Sequence, residues 1–169
     1  QSELPVIGCT GFHRRRYYAP EAAIWSKDEN QLTRCFVDEL FVGMEETLSA
    51  PQRVRAGFIK IAIESTLQDT PQSALSAAVA AAVESGVGVE IHTEKGAQAE
   101  QVIDYFVRRG VSPTKILICH IDKRPDHGLH VELAQAGVML EYDTFHRPKY
   151  DPARNLWPLI EHMVAVGLE

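Results

Sequence analysis

The sequence predicts an α/β fold, a parallel sheet covered by helices, and three observations carry the prediction. Five short apolar runs alternate with five helical periods along the 169 residues, the order that produces βα units. Lys60, His92 and His120 lie in or at the end of successive runs, roughly 30 residues apart, the length of one βα repeat. A further run, VMLEYD at 138–143, ends in Asp143. Polar side chains gathered from the carboxyl ends of successive parallel strands are how a βα barrel builds a site. No GxGxxG follows the first run and no P-loop occurs, which weighs against an open nucleotide-binding sheet. The expectation is a closed (β/α)8 TIM barrel, of which this chain, read as a single domain over residues 1–169, supplies about five consecutive βα units.

Taken in order, LPVIGCTGF (4–12) reads as a strand entering a glycine turn, and HRRRYYAPE (13–21) as the loop beyond it. Arg14, Arg15, Arg16 and Tyr18 in that loop are candidates to clamp an anionic group, since guanidinium pairs bidentately with carboxylate or phosphate; a solvated loop is the plainer alternative. Leu32, Phe36, Leu40 and Met44 set a helical period over 28–48 with Asp28 as its cap, broken by Ser49, Ala50 and Pro51. AGFIKIA (56–62) is the next strand, and Pro71 opens an alanine-rich helix over 71–85 that ends at Gly86. Strand 87–92 leads to a helix over 97–109 closed by Gly110, and strand 115–120 to the loop IDKRPDHG, which holds Asp122, Lys123 and Arg124. A helix over 127–136, the strand at 138–143, a long loop and a helix over 152–166 complete the chain.

Lys60 is the most informative residue. Alternation along a strand puts Phe58, Lys60 and Ala62 on one face and Ile59 and Ile61 on the other, and neither face reads as solvated. A bare cation there is costly, so Lys60 must lose its charge, find a partner or reach a wet pocket. Its own strand has no acidic residue within three positions, so a partner must come from another element. Glu90, on the same face as His92, is a candidate for a supporting contact or an interior salt bridge. His92 and His120 each end an apolar run near that lysine, and imidazole suits zinc and its neighbours. His127, His130, His146 and His162 are placed on loops or helix surfaces, and Cys119 in the core, facing away from His120.

Composition bounds the partners. At 45% hydrophobic and 24% charged the chain is ordinary globular material. A net charge of −6 argues against nucleic acid and anionic membrane, and no apolar run approaches the roughly 18 residues of a membrane span. The opening QSELPVIG lacks the order of a secretory signal. Three widely spaced cysteines fit neither a disulfide framework nor a cysteine zinc site. A cytoplasmic setting and a small-molecule partner are expected, with a homodimer left open.

TGF, GFIKIA, EIHTEKG, ICHIDKRPD and a strand ending in aspartate, in that order, resemble the phosphotriesterase-related family of the amidohydrolase superfamily over nearly the whole chain. The resemblance implies a binuclear centre at the mouth of a TIM barrel. Lys60 matches the lysine that carbon dioxide converts to N6-carboxylysine, a carbamate bridging two divalent transition metal ions, zinc first, with manganese or cobalt as alternatives. His92 and His120 match the histidines of the more exposed metal. The family's His-x-His pair and final aspartate have no counterpart here, so the resemblance places this chain at strands three to seven of a longer enzyme. A metal-bridging hydroxide is then expected to attack a lactone, carboxylic ester or phosphoester, with Asp122 and Asp143 in the catalytic places as ligand-orienting or proton-relaying groups. A lactonase is the activity implied. The basic residues Arg14, Arg15, Arg16, Lys123 and Arg124 incline the substrate toward a sugar lactone carrying phosphate or carboxylate. Two alternatives stand beside it: a barrel used for binding without turnover, and an open sheet for a sugar phosphate or nucleotide.

Overall fold

Branched aliphatic residues at alternate positions decide which face of the sheet the helices cover. In the computed structural model, which describes residues 5–168, the strands are β1 (Gly8–Gly11), β2 (Ala56–Ala62), β3 (Val89–His92), β4 (Ile116–Cys119) and β5 (Met139–Leu140). The helices between and after them are α1 (Glu29–Phe41), α2 (Gln72–Ser85), α3 (Ala99–Val107), α4 (His127–Gln135) and α5 (Pro152–Ala165). All strand pairs are parallel and the spatial order is β1-β2-β3-β4-β5. That order has no point of reversal, unlike a doubly wound sheet, and it is the order of successive βα units in a TIM barrel.

Register makes the two faces unlike. Ile61, Ile91 and Ile118 stand side by side and are fully buried under the helices. On the inner face Lys60, Glu90, Leu117 and Met139 form one row, with Ala62, His92 and Cys119 in the row above. Met139, at the β5 end of the Lys60 row, is 61% exposed. Alanines at 74, 77, 78 and 81 in α2 are fully buried, and their small side chains let that helix lie close to the sheet. The α1 cap is a full capping box, with Asp28 accepting from the Gln31 amide and Gln31 reaching back.

Several expected boundaries shift for local reasons. The first strand occupies Gly8–Gly11 rather than 4–12, and Leu4 lies outside the described residues. The first helix stops at Phe41 because Gly43 takes φ +149 and Met44 turns to donate to the Val54 carbonyl. The last strand leaves the ladder after Glu141, whose N–H still donates to the Ile118 carbonyl at 2.9 Å. Beyond it, Asp122 Oδ2 captures the amides of Asp143 and Thr144 at 3.0 and 2.8 Å and the Thr144 hydroxyl at 2.6 Å.

One placement is corrected outright: His130 is not on the surface but fully buried beneath the β4–α4 loop. Its Nε2 donates to the Arg124 carbonyl at 2.9 Å and its Nδ1 accepts from the Tyr142 hydroxyl at 2.7 Å, a pairing that fits one neutral tautomer. Burial pulls the His130 pKa down despite the hydrogen bonds to backbone carbonyls, and burial pushes Tyr142 up to about 12. A histidine held neutral in the fold gains a proton more readily when unfolded. Its contribution is therefore complete above the ordinary histidine pKa of about 6.5 and is lost as pH falls below it. Urea unfolding should show a falling midpoint from pH 7.5 to pH 5.5, and His130→Gln should flatten that dependence while lowering stability at pH 7.5.

Candidate functional site

The site is built at the carboxyl end of the sheet, and its foundation is the pairing of β2 with β3. Lys60 and Glu90 are register partners, and the Lys60 ammonium forms an ion pair with the Glu90 carboxylate. Lys60 Nζ also lies 3.0 Å from Cys119 Sγ, whose thiol donates to Glu90 Oε1 at 3.0 Å. Burial alone would lower the lysine pKa, but the bonds to Glu90 and Cys119 outweigh it and raise it. Glu90 moves the other way: burial pushes it up, and the bonds from Lys60 and Cys119 bring it below the usual carboxylate range. Cys119 is buried as expected, but it faces the lysine rather than the helices.

That orientation raises a problem that the next residue resolves. If Cys119 points inward, strict alternation sends His120 outward. His120 escapes because its backbone adopts φ 64, a left-handed conformation uncommon outside glycine. Its ring thereby meets the ring of His92 edge-on, centroids 4.8 Å apart. A third imidazole joins them, His13 from the loop after β1, 5.0 Å from His92. Burial, then the charges of His120, His13 and Lys60, pulls the His92 pKa down to about 4. His92 is therefore neutral through the physiological range, the state in which imidazole binds a metal.

Asp143 closes the site on the β5 side. Its carboxylate lies 3.0 Å from His120 Nδ1, 3.3 Å from Lys123 Nζ and 2.9 Å from Arg147 Nη2. Burial would raise its pKa, but the neighbouring His120 and Lys123 hold it low. Asp122 is 2% exposed and acts on backbone, with Oδ2 pinning the start of the loop after β5. Of the basic residues proposed for an anion, only Lys123 reaches this centre. Arg14 is committed to Glu64 at 3.2 Å and Glu94 at 3.0 Å, tying three loops together. Arg15 stacks over Trp25 and Arg16 over Tyr17, Tyr18 Oη accepts from the His13 amide, and Arg124 pairs with Glu100 away from the mouth.

Sequence reasoning did not single out His13, Arg147 or Glu141. Glu141 had a signal: it stands two residues before Asp143 on one strand, so the two share a face. His120 Nδ1, Asp122 Oδ1, Glu141 Oε2 and Asp143 Oδ1 are all buried without a well-formed hydrogen bond, although His120 Nδ1 and Lys123 Nζ stand 3.0 and 3.3 Å from the Asp143 carboxylate. The ligand atoms of His120, Glu141 and Asp143 lie within 4.8 Å of one another. Buried polar atoms are seldom left unsatisfied. Three of them, of nitrogen and oxygen ligand type in one place, fit a divalent cation.

The arrangement matches a known family. The model of the phosphotriesterase family covers residues 1–169. The chain belongs to the phosphotriesterase family. Among relatives, a phospho-furanose lactonase of Mycoplasmopsis synoviae is 29% identical over 97% of this chain and 49% of its own length, and one of Mycoplasmopsis agalactiae is 26% identical over 87% and 44%. An amidohydrolase structure from Mycoplasma synoviae superposes with a TM-score of 0.81 at 26% identity, covering 96% of this chain and 48% of that one. A phosphotriesterase homology protein from Escherichia coli, complexed with phosphate in its active site, gives 0.82 at 20% identity over 96% and 54%, a likeness of fold alone. The chain thus spans about half the length of the curated relatives it matches. Its fold is that of a TIM barrel contributing five βα units, and its family is one of hydrolases and lactonases with candidate metal-ligand groups at the strand ends.

Gly11 is the point at which β1 is fitted to this site. It pairs with Lys60 at φ +114, and a Cβ there would collide with the Lys60 carbonyl oxygen. Gly11→Ala should destabilise the fold by roughly 2–4 kcal/mol in urea denaturation.

Proposed function

We propose that the polypeptide carrying this chain is a metal-dependent hydrolase that opens a lactone bearing a phosphate group. The observation that carries the proposal is the convergence of Lys60, His92, His120 and Asp143 from four different strand ends, achieved for His120 only by a left-handed backbone. The names of the relatives, phospho-furanose lactonases, support the substrate class.

In this reading Lys60, as N6-carboxylysine, His92 and His120 hold a binuclear centre. When bound, two divalent ions of the zinc, manganese or cobalt kind supply Lewis-acid polarisation and a lowered water pKa. The rest falls to the chain itself. Asp143 lies against His120 and fixes its ring. Asp122 fixes Asp143 by binding the backbone at and after it. Lys123 and Arg147, both held at Asp143, are the cations nearest the centre and the ones to meet a substrate phosphate, while Arg14 braces the loops. The same reading keeps the protein in a reducing, cytoplasmic compartment, in keeping with three unpaired cysteines.

A second reading has one observation in its favour: Lys60 is ion-paired with Glu90, as a structural cation would be, and the barrel would then bind without turnover. The two predict opposite mutants. For the metal centre, Lys60→Ala loses metal and activity and recovers part of both with bicarbonate or short carboxylic acids, and Lys60→Met is equally inactive. For a structural lysine, Lys60→Met keeps metal and activity.

The substrate is tested separately, by comparing phosphorylated with neutral lactones. Lys123→Met should raise KM for the phosphorylated lactone about tenfold or more, the loss of one charge-assisted contact, with little change for a neutral one. Preference of the wild type for neutral, apolar lactones would sink the anionic substrate.

A further inference from the structure

Of the carboxylates around the mouth, the ion pairs leave out two, Asp122 and Glu141, and Asp122 is spent on the Asp143 and Thr144 amides and the Thr144 hydroxyl. Glu90 is paired with Lys60, Glu64 and Glu94 with Arg14, and Asp143 with Lys123 and Arg147. Among the described residues no lysine, arginine or histidine forms a salt bridge with Glu141, and its Oε2 is buried with no hydrogen-bond partner. The nearby thiol is shared between two carboxylates. Glu90, Cys119 and Glu141 present their ligand atoms within 4.8 Å of one another; the thiol donates to Glu90 at 3.0 Å, and burial and then the hydrogen bonds to Glu141 and Glu90 hold it far above its ordinary range, so its single proton serves at most one of the two carboxylates.

The position of Glu141 is not loose. Its amide is held by the Ile118 carbonyl, which extends the β4–β5 ladder by one residue, and the strand repeat aims it at the same face as Asp143. A carboxylate oxygen buried without a partner is expensive and persists where something binds it. Its unsatisfied neighbours are of matching kind, His120 Nδ1 and Asp143 Oδ1. One imidazole nitrogen with two carboxylate oxygens is a donor set for zinc or manganese.

We propose that Glu141 is a metal ligand, holding one divalent transition ion together with His120 and Asp143. Lys123 and Arg147 already neutralise Asp143, so the charge the ion would compensate is that of Glu141. The inference rests on the metal-centre reading above for the presence of metal, and it adds a ligand from β5 to the strand-end lysine and histidines.

The test reads metal rather than turnover. The full polypeptide, stripped of metal, is titrated with zinc alone by calorimetry and then assayed for zinc per chain. Glu141→Gln should weaken the zinc affinity at least about tenfold and remove one equivalent of zinc. Glu141→Asp, which keeps a carboxylate, should recover part of the affinity. Unchanged affinity and stoichiometry in Glu141→Gln overturns the proposal. Should that variant fail to fold, a crystal of the wild type soaked in zinc decides. A zinc peak about 2.0–2.2 Å from a Glu141 oxygen supports the assignment, and zinc held with Glu141 turned away overturns it. A protein that loses zinc with Glu141→Gln yet hydrolyses no lactone would end the hydrolase reading and leave this one standing. One that hydrolyses lactones while the variant keeps its zinc would do the reverse.

Discussion

Withdrawing the half-buried Lys60 ammonium from most of its water is the constraint on which the rest of the molecule turns. A lysine on the inner face of an apolar strand needs an anion at close range, and Glu90 supplies it as its direct register partner. The pair thereby fixes the register of β2 against β3. A slip of one residue would carry Lys60 to the helix-covered face, where Ile59 and Ile61 are fully buried and no acid waits. A half-buried ion pair of this kind is weak evidence for stability, since two charges have been taken largely from water. Its value lies in specification: only one register lets both groups survive burial, and that register lifts His92 and Cys119 together into the row above.

The second device is the break in alternation at His120. Cys119 must face inward to contact Lys60, so the following residue is directed outward unless the backbone reverses its hand. The left-handed turn at His120 starts a short 3-10 turn over Ile121–Lys123, and that turn buries Asp122 beside the β5 exit. One unfavourable backbone conformation, costing on the order of 1–3 kcal/mol, therefore positions the second histidine and the aspartate that clamps Asp143. Such strain persists only where the surroundings over-determine it. Here they do, through the Lys123 amide on the His120 carbonyl and the buried contacts of Ile121 and Asp122.

What the sequence made legible follows from this. Period-two and helical patterns located all five strands and five helices, most plainly β2, β3 and β4, whose buried faces are written in Ile and Val. Lys60, His92 and His120 stood out because a polar residue closing an apolar run is visible without neighbours. Ends were less legible: β5 stops early because Asp122, distant in sequence, captures its backbone, and α1 stops early because Gly43 and Met44 turn toward Val54. His130 was placed wrongly for a related reason. Its helix has a weak pattern, and the partners that let it be buried, Tyr142 and the Arg124 carbonyl, lie in other segments. The arginine cluster was misleading in a similar way, since a run of cations says nothing about which are already spent on glutamates.

That last point bears on how an anion would be recognised. Lys123 and Arg147 do not wait free in the mouth; both are held by Asp143. An incoming phosphate gains them only by exchanging partners, so affinity is the difference between two ion pairs rather than the value of one. The exchange is easier for Arg147, 48% exposed at its side chain, than for Lys123 at 8%, because a solvated pair holds its partner weakly. When Lys123 leaves, the Asp143 carboxyl keeps His120 but loses the second of the two neighbours that hold it below its ordinary range. Binding of an anionic group and the chemistry at Asp143 are thus coupled through shared charges, with no moving element required.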